Sequence, residues 1–122
     1  MTLRSVIELD AVLAEAASGG GSPMLDQRSL VQLLGYAQAK DWVVDAIEVF
    51  ELKDGLEIPR VDFGLYGGDL VSETAGMSFD QCMAHILGAV DFTLSAVEDT
   101  GAKCGFLVWL AATQAWRDAS PA

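Results

Sequence analysis

The sequence predicts an α+β or small α/β fold in which three N-terminal helices precede a β-α-β unit with a small sheet. Three observations support this prediction. Apolar residues recur at helical spacing in the first half of the chain, apolar and polar residues alternate at 60–66, and a long apolar stripe separates that segment from a continuous apolar run at 104–110. The 122 residues, 52% of them hydrophobic, suffice for one domain spanning 1–122.

The first two helices are predicted at 5–17 and at about 26–39, because each segment places its apolar residues on one face. In the first helix, Ser5 is suited to the N-cap position and Glu8 completes a capping box. The glycine-rich stretch SGGGSP at 18–23 then raises the entropic cost of regular structure, so it predicts a loop between the two helices.

A third helix is predicted over 42–53, within the segment DWVVDAIEVFELKDG. The apolar residues break the strict alternation expected of a strand, whereas at 100° per residue they fall on one side of a helix. Asp41 suits the N-cap, and Gly55 suits the left-handed position just after a helix C-terminus. The opposite side of this predicted helix is an acidic face made of Asp41, Asp45, Glu48 and Glu51.

The predicted β-α-β unit consists of a strand at 60–66, a helix at 78–98 and a strand at 104–110. Ser78 is placed to cap the helix, which carries the clearest apolar stripe of the chain. The continuous apolar run at 104–110 suits either a buried strand or a buried helix, and we favour the strand, followed by a short helix or a frayed tail. The two strands are expected to be parallel with a right-handed crossover.

The glycine-rich stretch GLYGGD at 64–69 raises the possibility of a phosphate-binding loop. Its spacing matches neither of the common phosphate-binding motifs, no lysine follows, and Asp69 would set a carboxylate against the phosphate. We expect instead that Gly67 and Gly68 adopt positive φ and turn the chain after the strand. An exposed recognition loop flanked by Tyr66 and Asp69 is the alternative interpretation.

Composition and charge exclude several functional classes. Seven Lys and Arg against eighteen Asp and Glu give a net charge of −11, which repels nucleic acids and anionic membranes and attracts a cationic protein. The longest apolar stretch, at 104–112, is far shorter than the roughly 20 residues that cross a bilayer. Because Glu8 and Asp10 interrupt the N-terminal apolar residues, no secretory signal is expected and a cytoplasmic location is predicted.

The sequence offers little for catalysis or metal binding. The single histidine, His85, is expected on the surface, and one histidine forms neither a His-based metal cluster nor an evident triad. Asp62 and Asp69 are candidates for paired acid-base chemistry, but the short chain leaves little room for a substrate cleft. The two cysteines are expected to be reduced and buried. We therefore predict no enzyme activity, no cofactor and no metal.

The segment at about 42–70 has the residues DWVVDAIEVFELKDG, followed by RVDFGLY and GGDL. In these residues it resembles a layout found in some bacterial toxin-immunity proteins, in which a short strand ends in a Gly-Gly-Asp turn. An acidic surface is also what a protein inhibitor of a nuclease or another basic enzyme uses. The sequence thus predicts an immunity protein that occludes a toxin's active site. The predicted partner-binding residues are Asp41, Asp45, Glu48, Glu51, Asp62, Tyr66 and Asp69.

Three alternatives remain open at this point. The acidic residues are equally compatible with an ordinary solvated surface, because charge runs usually have no partner. A phage-encoded inhibitor of a nucleic-acid-guided defence complex would use the same electrostatic attraction. A structural or adaptor protein would instead form a homodimer through apolar surface around Trp109 and Trp116.

Overall fold

A computed structural model describes residues 8–119, and in this range it contains five α-helices and a three-stranded antiparallel sheet. The α+β class is confirmed, whereas the predicted order of three helices followed by β-α-β is wrong. A short 3-10 turn at Val61–Phe63 follows the second strand. The elements in chain order are α1 Leu9–Ala17, α2 Gln27–Ala39, β1 Trp42–Lys53, β2 Leu56–Pro59, α3 Gly67–Glu73, α4 Phe79–Thr100, β3 Cys104–Ala112 and α5 Thr113–Ala119.

The sheet has the strand order β2-β1-β3, and both pairings are antiparallel. The predicted parallel β-α-β unit is therefore wrong, although its second strand at 104–110 and the short helix after it are confirmed. On the edge of β3 away from β1, Leu25 and Phe106 exchange two backbone hydrogen bonds of 2.8 Å. No residue of β3 is exposed, so side chains on both faces of the strand are at least partly buried, and this burial explains why its sequence is almost continuously apolar.

The segment predicted as a third helix is the long strand β1. The pairing register shifts between Val44 and Ala46, and such a bulge moves the following side chains to the opposite face. Val44 before the bulge and Ile47 after it are consequently both buried on one face, although their spacing of three is typical of a helix. Because the bulge breaks the strict alternation, the strand has the apolar pattern of a helix.

A two-residue turn, Asp54-Gly55, connects β1 to β2. Both residues have positive φ, 53° and 76°, as two-residue hairpins of this kind require. Gly55 therefore follows a strand and not the end of a helix. Asp41, predicted as an N-cap, also has positive φ (63°), whereas an N-cap residue is normally extended.

The predicted strand at 60–66 is not formed. Leu65 forms an isolated bridge to β1 through two backbone hydrogen bonds of 2.9 Å with Ile47, and the Arg60 amide donates a 2.8 Å hydrogen bond to the Val49 carbonyl oxygen. Gly67 and Gly68 do not have positive φ, because they begin α3 instead of forming a turn. The carboxylate of Asp45 lies so close to Gly67 that a Cβ placed there would be 2.7 Å from Asp45 Oδ1.

The helix predictions succeed where capping residues fix the helix start. Asp26 Oδ1 accepts a 2.8 Å hydrogen bond from the Ser29 amide at the start of α2. Ser78 caps α4 in a capping box with Gln81, as two reciprocal hydrogen bonds of 3.2 and 2.9 Å show. Helix α1 begins at Leu9, and the predicted cap at Ser5 lies outside the described residues.

One face of the sheet packs against the helices. The buried cluster joins apolar side chains of α1, α2, α3, α4 and α5 to the inward-facing residues of β1 and β3. The opposite face of the sheet carries half-buried side chains, among them Phe50, Leu107 and Trp109, that lie outside this cluster. In the described part of the chain, no helix is both long and apolar enough to cross a membrane.

Both cysteines, Cys82 and Cys104, are buried thiols, and desolvation raises the pKa of the Cys104 thiol. A raised pKa lowers the fraction of reactive thiolate at a given pH. We expect that neither thiol reacts readily with Ellman's reagent in the native protein at pH 7.5, and that both react in 6 M guanidinium chloride. Rapid reaction of either thiol in the native protein would contradict the burial seen here.

Candidate protein-binding groove

An apolar groove of about 450 Å³ lies between α2 and α4. Its floor comes from the start of β1 and the end of β3, through Trp42, Val44 and Leu110. The two helices do not pack closely along their length, so the space between them stays open. The walls are formed by apolar side chains of the two helices, among them Leu34 of α2 and Met83, Ile86, Val90 and Leu94 of α4.

The groove is open to solvent, and residues of both α2 and α4 line its opening. Gly35 of α2 lines the groove, and a Cβ added there would meet no atom within 4 Å. Val31 of α2 and Leu87 of α4 form the two lips, and they are 50% and 48% exposed. Apolar surface therefore continues from the buried floor to solvent, a feature typical of binding surfaces in proteins.

The charged residues that line the groove are Asp41, Asp91 and Arg117. Both carboxylates belong to exposed residues. The guanidinium carbon of Arg117 lies 3.9 Å from the centroid of the Phe79 ring, in a cation-π contact. The margin thus carries two carboxylates and one guanidinium, so its excess charge is negative and favours a cationic ligand.

Asp41 is held at this margin by its backbone. Its carbonyl oxygen accepts hydrogen bonds from the amide (2.9 Å) and the hydroxyl (3.1 Å) of Thr113. These bonds join the turn before β1 to the start of α5 and stabilise the positive φ of Asp41. The side chain of Asp41 remains exposed, and among the predicted site residues it is the one that lines the groove.

The predicted acidic face does not exist, because the segment is a strand. Asp41 and Glu51 flank nearly the whole of β1 and are roughly 30 Å apart at about 3.3 Å per residue. Asp45 lies at the bulge against Gly67. Glu48 pairs across the sheet with Leu107, on the face away from the buried cluster.

Two other predicted residues are joined by an arginine. Arg60 bonds Glu51 at 3.0 Å and Asp62 at 3.2 Å, and its guanidinium carbon lies 4.4 Å from the Phe63 ring centroid. The hydrogen bond from Arg60 lowers the pKa of the Asp62 carboxyl, and the same bond raises the pKa of Arg60. The charges of Glu51 and Asp62 are therefore partly compensated within the protein.

The remaining predicted residues lie at the start of α3. Tyr66 directly precedes this helix, and its half-buried ring packs over Gly64. Asp69 is exposed in the first turn of α3. Neither residue lines the groove between α2 and α4, so the structure does not bring the seven predicted residues together in one site.

The other residues considered in the sequence have structural contacts. His85 is partly exposed, as predicted for a surface residue, and its Nε2 lies 2.8 Å from Glu73 Oε1. Trp116 is only 8% exposed and belongs to the buried cluster, so its own side chain offers little surface for a dimer contact. The Trp109 indole N–H donates a 3.1 Å hydrogen bond to the Gly19 carbonyl oxygen. Within residues 8–119, no group of three or more His, Cys, Asp or Glu is arranged to hold a metal ion.

The sequence contained one signal for the groove that the prediction did not use. At 100° per residue, the apolar stripe of α4 covers roughly 140°, and Leu87 lies at its margin. A core-facing stripe is about 100° wide or wider, and Leu87 at the margin of this stripe is 48% exposed, so it is the margin that reaches the groove. Comparison with protein-family models, with curated proteins and with solved structures gives no match for this chain.

Proposed function

We propose that this protein binds and inhibits a basic protein, most concretely as an immunity protein that neutralises a bacterial toxin. The observation that carries the proposal is an apolar groove with an acidic margin in a chain of net charge −11. Apolar surface supplies binding energy, and complementary charge selects a basic partner and speeds encounter.

The mechanism has two steps. The acidic residues are spread over many elements, so the attraction arises from the total charge and not from one helix face. After encounter, burial of apolar groove surface slows dissociation, since affinity differences reside mostly in the dissociation rate. Inhibition follows when the bound protein covers the partner's own basic active-site surface.

The test is the association rate with the protein encoded by the neighbouring gene, measured at about 20 mM and 500 mM salt. We expect association to slow roughly tenfold or more at high salt, because exposed charges are screened over about 10 Å at 0.1 M ionic strength. The partner's toxic activity should disappear at one equivalent of this protein. An association rate that is the same at both salt concentrations would contradict charge-steered binding.

A homodimeric adaptor is the second candidate function, and exposed apolar side chains favour it. Val61 of the 3-10 turn is 70% exposed, and Phe92 of α4 is 75% exposed. Light scattering at micromolar concentration distinguishes the two functions. A dimer whose stability does not depend on salt supports the adaptor, and a monomer supports the inhibitor.

A further inference from the structure

We infer that the groove between α2 and α4 receives an amphipathic helix of the basic partner. The apolar face of that helix carries aliphatic residues, and its flanks carry Lys or Arg. The identity of the partner as a basic protein rests on the proposed function. The shape and chemistry of the groove determine that the bound segment is a helix.

The walls of the groove favour a helix over an extended peptide. They are the side chains of α2 and α4, whose backbone groups are already bonded within their own helices. An extended peptide would bury N–H and C=O groups that find few partners here, because most lining residues are apolar. A helix satisfies its own backbone hydrogen bonds and presents only side chains to the groove.

The dimensions of the groove fit about three helical turns. The lining residues of α2 lie within 31–38 and those of α4 within 79–94, which corresponds to about 11 Å and about 23 Å along the two helix axes. A partner helix of about three turns places side chains at i, i+3 or i+4, and i+7 along the floor. Val31 and Leu87, on opposite lips, then cover the sides of the bound helix, and Gly35 leaves room for one of its side chains.

The charge at the margin selects basic flanks on the bound helix. Asp41 and Asp91 are both exposed there, and the Arg117 guanidinium is held against the Phe79 ring. Lys or Arg next to the apolar face of the partner helix would meet these carboxylates. An acidic helix would meet two like charges and is disfavoured.

The direct test uses a synthetic 14-residue peptide with leucines on one helical face and lysines elsewhere. Its control has the same composition with the leucines distributed around the helix, so that charge is matched. Titrated into ¹⁵N-labelled protein, the first peptide should shift amide signals of α2, α4 and the start of β1, and should bind at least about tenfold more tightly than the control. Equal binding of both peptides, or shifts confined to other elements, would overturn the inference.

Matched variants of the protein distinguish the contribution of groove contacts to peptide affinity from the effects of overall charge and of folding. The double change Val31→Gln and Leu87→Gln alters exposed lip residues, and we expect peptide affinity to fall about tenfold or more. Phe92→Gln, on α4 but outside the groove lining, should leave affinity within twofold. Gly35→Leu should also block binding, because the new side chain fills the groove without removing any contact.

The same variants separate this inference from the proposed function. If the basic partner is inhibited equally well by the wild-type protein and by Gly35→Leu, inhibition of a basic partner stands, whereas the groove inference and the groove-burial step of the proposed mechanism both fail. If no basic partner is inhibited but the amphipathic peptide binds the groove and Gly35→Leu abolishes binding, the groove inference stands and the proposed function fails. Nuclear Overhauser contacts of the bound peptide that are typical of an extended chain would also overturn the inference.

Discussion

Replacing Phe106 by alanine should lower the free energy of unfolding by about 3–5 kcal/mol, among the largest losses expected for a single change in this protein. The Phe106 side chain is fully buried, and its residue pairs with Val49 of β1 on one edge and with Leu25 on the other. The alanine variant leaves a cavity where strands and helices meet, and the surroundings can relax only partly. Urea unfolding followed by circular dichroism measures the loss.

Leu107→Ala is the matched control, because Leu107 neighbours Phe106 but points to the opposite, half-buried face of the sheet. We expect a loss of only about 1 kcal/mol, since less apolar surface is removed from the interior. If Phe106→Ala does not fold, Phe106→Leu keeps most of the apolar volume and still permits the comparison. Equal losses at positions 106 and 107 would contradict the orientation of β3 described here.

The parts of the fold that the sequence predicts correctly are specified by local interactions. Asp26 and Ser78 each bond an amide three residues further along, so the starts of α2 and α4 are determined within a few neighbouring residues. Strand β3 was predicted at 104–110 because a short continuous apolar run suits a buried strand, and the observed strand is Cys104–Ala112. None of these elements required knowledge of distant contacts.

The error at β1 has a physical cause in the bulge. One extra residue near Asp45 changes the spacing of buried positions from two to three, and a spacing of three is the helical signal. The pair Asp54-Gly55 was the competing signal, because Asp-Gly between two apolar runs is typical of a two-residue hairpin. A left-handed glycine serves a helix end and a hairpin equally well, so Gly55 alone did not discriminate between them.

The predicted acidic helix face is absent for the same reason. A helix rises about 1.5 Å per residue and a strand about 3.3 Å, so carboxylates expected side by side are distributed along β1. The groove depends on how far α2 and α4 stand apart on the sheet, and that distance is set by tertiary packing. Asp91 and Val31 gave no sign of a shared site, because they belong to helices about sixty residues apart in sequence.

Gly21→Ala is expected to lower the free energy of unfolding by roughly 2–5 kcal/mol for two reasons that add. Gly21 has φ of +81°, a conformation that strains any residue with a Cβ. A Cβ at this position would also lie 2.7 Å from Cε2 of the Trp109 indole, so either the ring or the loop must move. The Trp109 indole is in turn fixed by its hydrogen bond to the Gly19 carbonyl, which leaves it little freedom to yield.

Substitutions at the neighbouring glycines distinguish the free-energy cost of backbone strain from the cost of the collision with Trp109. Gly19→Ala has similar strain at φ +93° but no atom within 4 Å of the new Cβ, so it should cost only about 1–2 kcal/mol. Gly20→Ala has only an ordinary 3.8 Å contact with Ser18 Oγ and should be nearly neutral. In a Trp109→Leu background we expect no collision, so Gly21→Ala should then cost about as much as Gly19→Ala. A double-mutant cycle in urea measures how far the cost of Gly21→Ala depends on Trp109. If Gly21→Ala costs no more than Gly19→Ala with Trp109 present, the indole does not restrain the loop.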